Sequence, residues 1–397
     1  MSESPETVPA FRVPWRRSMV ARDPGQSHRA STPLELLFDL CFVVAISQAA
    51  AQLAHGVEAD HIGSALLGYA MVFFAIWWAW MNFTWFASAY DTDDVPYRLL
   101  TLVQMAGVLV LAAGVPAALT EYDFTVATIG YAIMRVPMVL QWLRAAREHP
   151  AGRACALRYA GGIAVVQVLW LVRLALPHPL DYIAFGVLVL AEIAVPVFAE
   201  SRGATTWHPE HIAERYGLLT LIVLGECVLG TTIAFQSGIT EAGLSIDLIM
   251  LAIGGLLLIF GLWWTYFLGG DDAGLVSMRV ALTWGYGHYL VFAAIAALGA
   301  GLEVAVLASE HQAHLPLAVA GLAVAVPVAV FMIVISQLRQ FTWPAGSLSH
   351  GLVTAMAVLV LGCGALAEVI GIGSAVLAMG VVLGALLAVY LRRAARR

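Results

Sequence analysis

"TPLELLFDLCFVVAISQAAAQLA", residues 32–54, decides the fold of this chain. Most of it is made for hydrocarbon, and a run of roughly 20 apolar residues is what a helix needs to cross a bilayer. Two acids interrupt it near the start. Glu35 and Asp39 are four residues apart, which puts both carboxylates on one helical face. An apolar helix that opens with two acids on one stripe needs either partners or a task.

The rest of the chain extends the apolar reading. Its 397 residues are 61% hydrophobic and 12% charged, and its mean hydropathy is +0.85. A soluble domain carries about a quarter charged residues, so this is an all-α polytopic membrane protein. All 20 basic residues are Arg, with no Lys. A Schiff base to retinal or pyridoxal phosphate is therefore excluded, as is a P-loop. Cys41, Cys155, Cys227 and Cys363 are scattered without CxxC spacing, so neither a zinc site nor a disulfide framework is indicated.

Twelve spans are expected, at 33–54, 62–89, 96–119, 124–146, 157–176, 180–199, 215–236, 246–268, 278–306, 314–337, 346–369 and 372–391. Residues 1–32 lack the apolar stretch of a cleavable signal and read as a mobile, Arg-rich cytoplasmic tail. With that tail inside, the inner loops hold Arg98, Arg144, Arg147, Arg153, Arg158, Arg202, Arg215, Arg279 and Arg339, and the basic end 392–397 is inside too. The outer loops, such as "HGVEADH" and "ASEHQAH", hold no Arg. This positive-inside pattern places both termini in the cytoplasm and the chain in the inner (plasma) membrane.

An internal duplication is expected. "FFAIWWAWMNFTWF" (73–86) and "LLIFGLWWTYFLGG" (257–270) each precede an acidic inner loop and a new span. "QWLRAARE" and "SQLRQ" close spans four and ten. Residues 33–201 and 202–391 thus read as two parallel six-helix copies, a known transporter plan. Matching span entrances pairs Glu35 with Glu214, whereas matching the Trp pairs brings Asp39 opposite Glu226. The sequence leaves both registers open.

Charge at the centre of a membrane helix costs about 2.5–3.5 kcal/mol on insertion scales, so depth ranks the candidates. Glu226 lies about eleven residues into its span, roughly 16 Å along the helix. Arg135 is similarly central, Asp39 is about a turn and a half deep, and Glu192 and Arg173 also lie within spans. One reading makes them structural pairs, and the other a substrate or proton pathway lined by Glu35, Asp39, Arg135, His211, Glu214, Arg215, Glu226 and His288. In "HPEHIAER", His211 and Glu214 share a face, and with His208, His288 and His350 they fall in the cytoplasmic half. Such residues relay protons or bind metal, but no Cys or third His has ligand spacing. Neither a metal nor a cofactor is expected.

"WWAWMNFTWF" reads as an interfacial belt and packing surface, with Asn82 needing a partner. "YDTDD" lacks the Gly and distal Glu of a calcium loop and reads as a capping loop whose acids meet nearby Arg. Nothing points to nucleic acid. The basic tails suit anionic headgroups at the cytoplasmic face of the bilayer.

"STPLELLFDLCFVVAISQ", "DTDD" and "HIAERYGLLTLIVLGE" resemble, in that order, the bacterial low temperature requirement A family. The resemblance covers nearly all of the chain after residue 30. Its motif positions here are Glu35, Phe38, Asp39, His211, Glu214, Arg215, Gly225 and Glu226. It implies a polytopic membrane protein and brings no activity with it. Three functions are therefore carried forward: a secondary transporter or proton-coupled permease for a small molecule or ion, a membrane enzyme using the His/Glu cluster, and a non-catalytic lipid or cold-adaptation protein. Glu35 and Asp39 are expected to neighbour His211 and Glu226, and Arg135 or another cation would pair with Glu226 if that acid is structural.

Overall fold

The computed structural model describes residues 14–394, except 24, 27–29, 202, 242, 269–273, 276, 311–314 and 343–347. The acids of "DDAGL" at 271–272, all of "HQAH" at 311–314 and the last three residues lie outside the described residues. The described residues form helices and no strand. In order they are α1 (Pro33–Glu58), α2 (Ile62–Tyr90), α3 (Val95–Thr120), α4 (Thr125–Glu148), α5 (Arg153–Arg173), α6 (Leu180–Glu200), α7 (Pro209–Glu241), α8 (Ile246–Tyr266), α9 (Met278–Ser309), α10 (Leu317–Thr342), α11 (His350–Ala365), α12 (Ala367–Ile370) and α13 (Ile372–Ala394).

Eleven of these are long and apolar enough to cross a membrane. The eleventh expected span differs. It is a 16-residue helix, α11, followed by the single turn α12. The helix stops because the Leu366 N–H turns back to the Gly362 and Gly364 carbonyls. Gly371, at φ 82°, then reverses the chain into α13, a conformation that costs glycine little.

Start signals are local. Thr32, Asp94, Ser245 and Ser277 cap α1, α3, α8 and α9, each side chain accepting from a backbone N–H of the first turn. Helix α7 begins at Pro209, earlier than the apolar run suggests, so Arg215 is a helix residue and not a loop residue. Arg339 is likewise buried inside α10, where it donates to the last carbonyls of α8, at Thr265 and Tyr266. Both residues correct the expected loop placement. A guanidinium buried against carboxylates or helix-end carbonyls satisfies the charge that hydropathy counts against a span.

Helix α3 packs along α1 and α4, α4 along α5, and α5 along α6. In the second half α9 packs along α7 and α10, α10 along α11, and α11 along α13. Helices α2 and α9 are the most enclosed. At the α3–α4 crossing a Cβ on Gly107 would lie 2.8 Å from the Gly130 carbonyl, so the backbones themselves touch.

The N-terminal segment is no free tail in its described part. Arg17 N–H donates to Asp94 (2.8 Å), Met19 N–H to Glu148 (2.6 Å) and Arg22 N–H to the Ala89 carbonyl (3.0 Å). Gln26 meets His208 Nε2 through its carbonyl (2.8 Å), and Ser31 N–H reaches Glu214 (3.3 Å). The described residues between 14 and 31 therefore form a strap across the end of the bundle where α1 begins, meeting α3–α4 at one side and α7 at the other. Composition marks such a segment as polar; it does not show that the acids of α3, α4 and α7 offer acceptors for its backbone.

Candidate functional site

The acids of "ELLFD" are placed by the first turn of α1. Thr32 and Glu35 form a reciprocal capping box, in which Thr32 N–H and Oγ1–H donate to Glu35 Oε2 at 2.8 and 3.0 Å. The other oxygen, Oε1, faces α7, with His211 Nε2 at 3.0 Å and Arg215 Nη1 at 3.2 Å. One turn on, Asp39 Oδ1 accepts from Arg215 Nη2 and from Trp80 Nε1 of α2 (2.7 Å). Asp39 Oδ2 is buried and has no hydrogen-bond partner among the described residues.

All four charged or titratable side chains are at most 1% exposed. His211 and Arg215 share a face of α7 because they are four residues apart. Aromatic rings close the space around them. Phe38 stacks on Phe83 at 3.9 Å, and Tyr216 packs edge-on to Trp80 at 4.9 Å. Among the described residues, both carboxylates face the Arg215 guanidinium.

A second cluster lies within the first half. Glu192 of α6 accepts from Trp78 Nε1 (2.8 Å), Tyr131 Oη (2.8 Å), Trp170 Nε1 (3.2 Å) and Arg135 Nη2. Both of its oxygens are thus doubly bonded by donors, and the ion pair is balanced one to one. Arg135 is therefore committed to Glu192, and the alternative in which it pairs with Glu226 is not the one found. The two lie on helices α4 and α6, which face each other across a wall of aromatic donors that the sequence does not mark as such.

The remaining candidates separate. Glu226 is only partly buried on α7, and among the described residues it has no hydrogen-bond or ion-pair partner, so it does not join Asp39. Glu214 turns away from Glu35 to hold the strap. His288 of α9 donates from Nδ1 to the Trp284 carbonyl (2.8 Å), so Nε2 is the acceptor for Tyr266 Oη (3.0 Å). It touches the first cluster through Tyr216, whose ring is 4.9 Å away. Arg173 is boxed by Phe124, Phe185 and Trp170.

Sequence reasoning missed Thr32 and the two tryptophans. Trp78 and Trp80 are fully buried and correct the reading of "WWAW" as an interfacial belt. Asn82 does find its partner, the Trp78 carbonyl at 2.7 Å. Of the acids of "DTDD", Asp94 caps α3 and pairs with Arg144, Asp93 pairs with Arg98 and Asp91 with Arg22. Among the described residues no three His, Cys, Asp or Glu side chains are placed to hold a metal ion.

Residues 30–387, which include both clusters, match the family described as bacterial low temperature requirement A protein (LtrA). The chain belongs to this family. An uncharacterized protein of Rhizobium meliloti (strain 1021) is 29% identical over 255 residues. That similarity covers 62% of this chain and 59% of the relative's length. The family match begins at residue 30, so it takes in the capping box of α1 and leaves most of the strap outside.

Proposed function

We propose that this LtrA-family protein is a proton-coupled secondary transporter, with Glu35, Asp39, His211 and Arg215 as its proton-loading site. One observation carries the reading. The cluster joins α1 to α7, the opening helices of the two halves, and within it Asp39 Oδ2 is buried with no hydrogen-bond partner among the described residues. A proton arriving at Asp39 Oδ2 converts the carboxylate to a neutral acid. The attraction of Arg215 for Asp39 falls with that charge, and the α1–α7 junction loosens. A site whose protonation state sets the grip between two halves is what alternating access requires.

The parallel packing of α1, α3, α4, α5, α6 and of α7, α9, α10, α11, α13 supports reading residues 33–201 and 202–391 as two copies. The arginines near the start of α1 support a cytoplasmic location for that end, in contact with anionic lipid headgroups, with the chain in the plasma membrane. The solute is a small molecule or ion that the site itself does not name.

The test is infrared difference spectroscopy of the purified protein between pH 8 and pH 5, paired with electrometric recording on proteoliposomes. A protonated-carboxyl band is expected in the wild type and absent in Asp39→Asn. A solute-evoked current under a pH gradient is expected to vanish in the same variant. A band that survives Asp39→Asn, or a current indifferent to it, would sink the assignment.

A further inference from the structure

We propose that the groove between α1–α2 and α9–α10 binds one acyl chain of a membrane phospholipid. The groove holds about 450 Å³ and is lined by residues such as Leu53, Val57, Leu66, Ala297, Val304 and Val326. It lies in the half of the bundle away from Asp39, beginning at Ile62 in the first turn of α2. Its concavity comes from α9, where Ala293, Ala297, Ala300 and Gly301 fall on one face. Gly301 seats that helix directly on the Ala323 backbone of α10.

Three observations select the occupant. Tyr69 and Tyr289 are the polar side chains among the described lining residues, and both hydroxyls are used within the wall. Tyr69 donates to the Ala293 carbonyl and Tyr289 to the Ala70 carbonyl, each at 2.8 Å. A polar solute would find no free donor, whereas a hydrocarbon chain needs none. The mouth is framed by exposed Leu66, Leu290 and Val326, which at this depth face lipid rather than water. The lining runs along α9 from Tyr289 to Val304 and along α10 from Val319 to Val330, roughly 22 and 16 Å at helical rise. One leaflet of hydrocarbon is about 15 Å deep. A single chain entering from the headgroup level beside Ile62 matches that length.

The groove also crosses between the halves, because the two tyrosine bonds tie α2 to α9. A chain seated there packs against both halves at once.

The experiment is native mass spectrometry of the full chain, delipidated in detergent and titrated with dioleoyl phosphatidylethanolamine. The wild type is expected to retain one phospholipid more tightly than the rest. Ala297→Phe, which fills the groove from its floor, and Val326→Trp, which fills it from the mouth, are each expected to weaken that binding at least tenfold. Val187→Trp, on an exposed site elsewhere, should leave it unchanged. Unaltered retention in both folded groove variants would overturn the proposal. So would equal loss in the Val187 control, a non-lipid molecule found in the groove, or a dimer that dissociates when the groove is filled.

Discussion

Trp78 and Trp80 stand two residues apart on α2 and donate their indole N–H groups to different buried carboxylates, Glu192 and Asp39. Two residues are about 200° around a helix. The side chains therefore leave opposite sides of α2, which stands as a partition between the Arg135–Glu192 pair and the Arg215–Asp39 pair. Replacing either Trp by Phe removes a hydrogen bond to a charged group, worth roughly 1.5–3 kcal/mol. Thermal unfolding in detergent should register both losses, and only Trp80→Phe should also alter the pH dependence of the transport proposed above.

Glu192→Gln leaves Arg135 as a buried charge without its counter-ion. A loss of about 3–5 kcal/mol is expected, with much of it recovered in the double variant carrying Arg135→Met. A double-mutant cycle measures this directly, and simple additivity of the two losses would refute the pairing.

Glu226→Gln should behave differently. Its side chain is only partly buried and has no partner among the described residues, so the change in stability should stay within about 0.5 kcal/mol. A drop of several kcal/mol in the same melting assay would show that a charge depends on it.

The strap should respond to acid. Burial pushes the Asp94 carboxyl up, but hydrogen bonds from the Arg144 guanidinium and from the N–H groups of Arg17 and Tyr97 outweigh it and hold the group below the usual carboxylate range. A depressed value contributes stability that is fully present above about pH 4, the unfolded value, and is lost as pH falls through the folded one. Melting temperature should therefore fall below pH 4 in the wild type and fall less in Asp94→Asn. At pH 7 the same variant should expose Arg17 and Arg22 to trypsin, and protection equal to wild type would contradict this anchoring.

Sidedness can be read chemically. With the four native cysteines replaced, a cysteine at Asp60 should react with an impermeant maleimide added outside intact cells, and one at Val20 should react only after permeabilisation. The reverse result would invert the orientation.

The spans were legible because hydropathy and capping residues are local. Thr32, Asp94 and Ser277 announce their helices, and the outcome departs mainly where a helix is short, as at α11. The partners of the buried charges were not legible. Arg135, Arg173 and Arg215 are equivalent as letters, and which acid each meets depends on how α4, α6 and α7 turn within the bundle. By its charge Arg215 reads as an inner-loop arginine, and the acids on α1 that receive it inside the bundle are 176 and 180 positions away. Trp80 was hidden for a related reason. An aromatic run looks alike whether its N–H groups face headgroups or carboxylates.

The pairing of Asp39 with Arg215 has a consequence for biosynthesis. The two residues are 176 positions apart. At about 5–20 residues per second, the ribosome takes roughly 10–35 s to reach the second after the first. For that interval the first helix leaves the translocon with two acids and no cation from α7. It must wait near the headgroups or carry its carboxyls protonated, and the strap, which needs His208 and Glu214, must wait as well. Force profiles on arrested chains should show a late pull as residue 215 emerges, one that Asp39→Asn weakens. The strap and α1 are thus made before α7 and settle only after it.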